Sequence, residues 1–135
     1  MQPHLFRIYA YQTITTVSAV IVFLQAVLAG QFLFTEPDAK DAHEVLANVL
    51  FITVALQLLL AVILRNAGGV KTIVWNAALL VLVISQIGLG YSGRDDTDAA
   101  AVHVPMGTLV FGLAVLVAGM AFSQRWERDP VTPAG

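Results

Sequence analysis

Two histidines lie at matching places in a repeated apolar unit, and imidazole is the side chain of this sequence best suited to bind a metal. Gln25 precedes His43 by eighteen residues, and Gln86 precedes His103 by seventeen. An apolar segment with a phenylalanine eight residues further along follows each histidine. Neutral imidazole is a common iron ligand, and two imidazoles give a six-coordinate iron suited to electron transfer. The repeat therefore predicts a bis-histidine heme iron site.

Four uncharged stretches must position these histidines. The chain has 135 residues, of which 58% are hydrophobic and 12% charged. Each stretch can cross a bilayer core, which takes about 20 helical residues. Backbone groups in lipid must bond internally, so the spans must be helices. We predict an all-α, single-domain membrane four-helix bundle with spans near residues 8–34, 42–64, 71–92 and 99–123 and a cytoplasmic tail over 124–135.

The loops between spans are short, so sequential helices should be antiparallel neighbours in an up-down bundle. Gly68 and Gly69 should break the chain between two helical hairpins, roughly residues 1–66 and 67–124. Both hairpins would run in-out-in, which predicts a pseudo-two-fold axis along the membrane normal. Pro37 is expected in the first turn of the second span, and Thr97 or Asp98 at the N-cap of the fourth.

The positive charges predict the orientation. Cytoplasmic loops hold the excess of Lys and Arg. One side has five cations and the other has two, Lys40 and Arg94, so we predict a multi-pass plasma-membrane protein with both termini cytoplasmic. The five are Arg7, Arg65, Lys71, Arg125 and Arg128.

Aromatic residues agree with this orientation, because Trp and Tyr favour the two interfaces. Tyr91 would lie at the outer interface. His43 and His103 would both enter from the outer side, whereas His4 would lie on the inner side. The inner interface would carry Tyr9, Tyr11, Trp75 and Trp126.

Small residues near the histidines could make room for a flat macrocycle. Ala47 and Gly107 lie four residues after His43 and His103, and residues four apart share a helix face. Gly30 and Gly90 could do the same from the first and third spans, while Leu50 and Val110 could pack on the ring one turn further along.

Four polar side chains could complete the site. Gln25 and Gln86 could orient the imidazoles or contact the porphyrin edge, or they could join helices as polar residues in membranes often do. Lys40 and Arg94 are the candidates to pair with heme propionates, although each could be a solvated loop charge.

The absence of cysteine excludes thiolate ligands, iron–sulfur clusters and covalent heme attachment. Heme b is therefore the predicted cofactor. Nothing in the sequence is typical of a phosphate-binding loop, a nucleophile triad or a nucleic-acid surface. The expected partners are heme, membrane lipid and either a second copy or a respiratory membrane protein.

These residues also resemble a known family. The segments Gln86-Ile-Gly-Leu-Gly-Tyr91 with His103-Val-Pro-Met-Gly107, and Gln25 with Gly30 and His43, resemble one four-helix half of heme A synthase. The resemblance implies that His43 and His103 match the heme-ligating pair of that family. The family's active bundle has a glutamate three residues before the second-helix histidine, where this chain has Lys40. The chain is thus similar to a stand-alone heme b-binding bundle.

Three functional hypotheses follow. The first is a membrane b-type cytochrome with one heme near the outer face, for electron transfer, heme handling or sensing. The second is a compact heme A synthase-like oxygenase, completed by dimerisation. The third is a structural or assembly subunit of a respiratory complex whose histidines bind nothing.

Overall fold

The computed structural model describes residues 3–123 and consists of four long α-helices in that range. All four are long and apolar enough to cross a membrane. The predicted all-α four-helix bundle is confirmed. The predicted tail, with Arg125, Trp126 and Arg128, lies outside the described residues. The helices are α1 (Pro3–Phe34), α2 (Ala39–Ile63), α3 (Arg65–Ser92) and α4 (Thr97–Ser123).

The helix starts differ from two sequence predictions. Pro37 precedes α2, which begins at Ala39, so it does not lie in the first turn. The α4 cap is Asp96, whose Oδ1 accepts hydrogen bonds from the backbone N–H of Asp98 at 2.9 Å and of Ala99 at 3.4 Å. The prediction of Thr97 or Asp98 as cap is wrong because the helix begins at Thr97, and the capping residue precedes the first helical one.

The predicted break between the hairpins lies at Gly69. Its backbone has φ 72° and ψ 171°, which interrupts the helical geometry inside α3. A positive φ of this size favours glycine, because a Cβ is crowded there. Thr72 Oγ1 donates to the carbonyl of Gly68 at 2.6 Å, so a side chain satisfies a carbonyl at the break.

The bundle interior contains two groups of buried apolar residues. The central apolar layer consists of Ile21, Val22, Leu50, Val54, Leu79, Val83, Val110 and Ala114. The second group lies nearer the start of α1 and consists of Ile8, Tyr11, Ala61, Leu64 and Ala121. On α1, the residues of the central apolar layer come later in the sequence than those of the second group. On α2 and α4 they come earlier. This order favours an up-down bundle, and the antiparallel pairing stays a prediction.

The pattern of burial repeats between the two hairpins. The buried residues of α2 are Leu50, Val54, Gln57 and Ala61, and those of α4 lie 60 positions later, at Val110, Ala114, Val117 and Ala121. The buried residues of α3 are Thr72, Asn76, Leu79 and Val83, and buried residues of α1 lie 61 positions earlier, at Tyr11, Thr15, Ser18 and Val22. The two offsets, 60 and 61, differ by one residue. The Gln-to-His spacings of the two hairpins, eighteen and seventeen residues, differ by the same amount. The register favours the pseudo-two-fold axis, which stays a prediction.

Candidate histidine site

His43 on α2 and His103 on α4 face each other inside one end of the bundle. Their ring centroids are 6.3 Å apart and their planes are inclined at 73°. Both side chains are half-buried. Among the described helices, α1 and α3 each pack against both α2 and α4, which leaves the histidine-bearing helices on a diagonal. The imidazoles therefore meet across the interior of the bundle.

A backbone carbonyl orients the imidazole of His43. Its Nδ1–H donates to the carbonyl oxygen of Gln25, with 3.1 Å between the two atoms. A carbonyl only accepts, so the proton lies on Nδ1 and the lone pair of the neutral ring lies on Nε2. Phe32 packs on the same ring, with centroids 5.8 Å apart. This arrangement is typical of metal-binding histidines, which donate their other nitrogen to a carbonyl.

His103 lies against the backbone of α3. The backbone of Gln86, the repeat equivalent of Gln25, lies beside its ring, but the buried Nδ1 makes no hydrogen bond in the described structure. A Cβ at Gly90 would lie 3.3 Å from His103 Cε1 and 3.7 Å from Nδ1. Gly90 therefore leaves room for this imidazole.

Gln86 joins α3 to the backbone of the second histidine. Its Nε2 donates to the carbonyl of His103 at 2.9 Å. A Cβ at Gly107 would lie 3.5 Å from the same Nε2, so the neighbour of Gly107 in this structure is the Gln86 amide. A macrocycle near Gly107 would share that space with Gln86. The side-chain Oε1 atoms of Gln25 and Gln86 are both buried without a hydrogen-bond partner in the described structure.

The other predicted lining residues differ in their burial and in their neighbours. Ala47 is half-buried, as is Gly107 at the equivalent position. Leu50 and Val110 belong to the central apolar layer, about two helical turns after the histidines. Gly30 differs from Gly90, because a Cβ there would meet nothing within 4 Å.

The two predicted propionate partners converge on one carboxylate. Arg94 Nη2 lies 2.8 Å from Glu44 Oε1, and Lys40 Nζ lies 3.8 Å from the same oxygen. The guanidinium also stacks over the ring of Tyr91 at 4.5 Å. Glu44 directly follows His43, and no role for it was predicted from the sequence.

A buried polar layer in the other half of the bundle was missed from sequence. Asn76 Nδ2 donates to the hydroxyl of Tyr11 at 2.7 Å, and Gln57 Nε2 donates to Asn76 Oδ1 at 2.7 Å. The bonds link α1, α2 and α3. Tyr11 is 1% exposed, so its side chain faces the interior of the bundle rather than lipid, and its predicted depth at the inner interface stays a prediction. Tyr9, Trp75 and Tyr91 are exposed.

Within residues 3–123, no group of three or more His, Cys, Asp or Glu side chains could hold a metal ion. Comparison of the chain with protein-family models, with curated proteins and with solved structures gives no match.

Proposed function

We propose that this chain is an integral membrane protein that binds one heme b through the imidazoles of His43 and His103. The observation that carries the proposal is their separation of 6.3 Å between ring centroids. Metal–imidazole nitrogen bonds are about 2 Å long, so two axial imidazoles on one metal place their ring centres about 6 Å apart. The porphyrin nitrogens would supply the other four ligands of a six-coordinate iron.

Three further features of the site fit this proposal. The hydrogen bond from His43 Nδ1 to the Gln25 carbonyl directs the lone pair of Nε2 away from α1. The buried Nδ1 of His103 requires an acceptor when Nε2 binds a metal, and the backbone of Gln86 lies beside it. Gly90 leaves the space that the His103 ring occupies.

The site supports electron transfer, heme handling or sensing. When bound, the heme supplies a one-electron couple, and two histidine ligands leave no open position for oxygen. The chain orients the two imidazoles, and Leu50 and Val110, buried about two helical turns after them, keep water from that side. A water-poor surrounding limits solvent reorganisation when the iron changes charge.

The remaining parts of the proposal concern placement and partners. We place the protein in the plasma membrane with both termini cytoplasmic, so that the heme lies in the outer half of the bilayer. Five of the seven cations of the chain lie on the side of the termini, which supports this orientation. A second copy of the chain or a respiratory membrane protein would exchange electrons or heme with it.

The oxygenase alternative receives no specific support. It would need a carboxylate available for chemistry near the iron. Glu44, the carboxylate beside His43, is instead paired with Arg94 and Lys40. The third hypothesis, in which the histidines bind nothing, predicts a colourless protein.

The reduced-minus-oxidised absorption spectrum of the purified protein tests the proposal. We expect a low-spin b-type spectrum with one heme per chain. His43→Ala and His103→Ala should each lose heme or become high-spin. His4→Ala, a change on α1 outside the site, should keep the wild-type spectrum. Wild-type spectra in both membrane-helix variants would exclude the bis-histidine site.

A further inference from the structure

Three charged side chains form a cluster at the end of the bundle that holds the histidine pair. Glu44 Oε1 lies 2.8 Å from Arg94 Nη2 and 3.8 Å from Lys40 Nζ. All three are partly exposed, with side-chain exposures of 34% for Glu44, 40% for Arg94 and 50% for Lys40. The cluster has two cations and one carboxylate, and so a net charge of +1.

The cluster is held close to His43. Lys40 lies three residues before His43 on α2, and residues at this spacing share a helix face. Glu44 directly follows His43 and pairs with Lys40. Arg94 reaches it from the segment between α3 and α4, and the ring of Tyr91 lies under its guanidinium at 4.5 Å. The contact with Tyr91 restrains the arginine in this position.

We propose that Arg94 and Lys40 form a subsite for the carboxylates of the bound ligand, and that Glu44 occupies this subsite until a ligand carboxylate replaces it. The inference rests on the proposed function. It specifies the ligand class as a tetrapyrrole with free carboxylates at one edge, rather than any flat iron macrocycle. The arginine has five N–H donors in a planar fork, which suits a carboxylate.

The role of Glu44 follows from two opposing effects. Its ion pairs help to order Arg94 and Lys40, but ion pairs between partly exposed side chains contribute little. A ligand carboxylate can bind here only if these ion pairs are broken, and the displaced carboxylate of Glu44 would then repel it over a short distance. Neutralising Glu44 leaves two cations for a ligand with two carboxylates. The variant Glu44→Gln should therefore bind such a ligand more tightly.

The test compares two probes on the full-length apoprotein in lipid nanodiscs. One is heme with free propionates, and the other is its dimethyl ester, which has the same ring and iron but no carboxylates. Wild-type protein should bind heme more tightly than the diester. Glu44→Gln should tighten heme binding about fivefold to tenfold and leave diester binding unchanged. Arg94→Gln should abolish the preference for heme.

Asp41→Asn is the matched control. Asp41 lies exposed in the first turn of α2 and is not part of the cluster, so this change removes a negative charge at the same end of the bundle. It should change neither affinity by more than about twofold. An equal effect of Asp41→Asn and Glu44→Gln would overturn the proposal, because it would show a general charge effect.

The outcomes separate this inference from the proposed function. If both probes give low-spin bis-histidine spectra but Glu44→Gln and Arg94→Gln leave their affinity ratio unchanged, the carboxylate subsite is wrong and the heme site stands. If neither probe gives a low-spin spectrum in the wild-type protein, both proposals fail.

Discussion

Replacing Gly90 by alanine should disturb His103, the second proposed heme ligand, without unfolding the bundle. The added Cβ would lie 3.3 Å from His103 Cε1, whereas carbon atoms in good contact are about 3.5–4.0 Å apart. The imidazole must therefore move by a few tenths of an ångström. Crowding of this kind costs about 1–3 kcal/mol, and alanine in a helix interior is favoured over glycine by about 0.5–1 kcal/mol. The net loss of stability is then between zero and about 2.5 kcal/mol.

Gly30→Ala is the matched control for this prediction. It makes the same substitution in α1, and the added Cβ would meet nothing within 4 Å. Gly30→Ala should therefore keep the wild-type heme spectrum. It should be slightly more stable than the wild type, because alanine is favoured over glycine in a helix interior.

Three measurements on purified protein distinguish the two variants. Gly90→Ala should shift the low-spin electron paramagnetic resonance signal, shift the heme midpoint potential and lower heme occupancy. Helix content by circular dichroism should be unchanged in both variants. If Gly90→Ala and Gly30→Ala give the same spectrum and potential as the wild type, the placement of Gly90 against His103 is wrong.

Gly107→Leu should force the amide of Gln86 from its place and lower the heme-to-protein ratio while helix content is retained; a normal ratio would show that neither the amide nor the cofactor needs this space. Asn76→Ala removes two bonds between helices, worth about 0.6 kcal/mol each on average in membranes, so detergent unfolding should show a loss of about 1–2 kcal/mol with an unchanged heme spectrum. Asp95→Cys and Asn66→Cys should react with an impermeant maleimide from outside and inside intact cells, respectively, in a chain that has no cysteine of its own. Labelling of Asn66→Cys from outside would invert the proposed orientation.

The spans could be predicted because uncharged stretches of this length have few other structures available to them. The helices extend beyond the predicted spans. The helix α1 begins at Pro3 and α3 at Arg65, each several residues before the predicted span. Apolar composition marks the part of a helix inside lipid, whereas backbone hydrogen bonding continues beyond it into the polar interface.

The facing of His43 and His103 could be predicted from the repeat, because equivalent positions on equivalent helices point to a common axis. The lining of the site could not. The predicted equivalence of Gly30 and Gly90 neglected the repeat offset of 61 between α1 and α3, which matches Gly90 with Ala29. One residue turns a side-chain direction by about 100° on a helix. Because of this rotation, Gly90 lies against the imidazole of His103, whereas Gly30 has open space beside it.

The polar layer was missed because Tyr11 was assigned, with Tyr9 and Trp75, to an aromatic belt at the inner interface. Tyr11, Thr15 and Ser18 follow one another at helical spacing, and all three are 1% exposed. A polar stripe of this spacing on a membrane helix indicates a buried face. The amide of Asn76 at the equivalent face of α3 was the second indication in the sequence.

The histidine site and the polar layer should respond independently to substitution. The central apolar layer lies between them, and Asn76 and Gly90 are fourteen residues apart on α3, or about 21 Å along a helix. Changes at sites this distant, without shared partners, usually add within about 0.3–0.5 kcal/mol. The double variant Asn76→Ala/Gly90→Ala should therefore show the sum of the two single changes in unfolding free energy and the heme spectrum of Gly90→Ala. A coupling above about 1 kcal/mol would mean that the central apolar layer transmits a rearrangement between the two sites, and that the bundle responds as one unit.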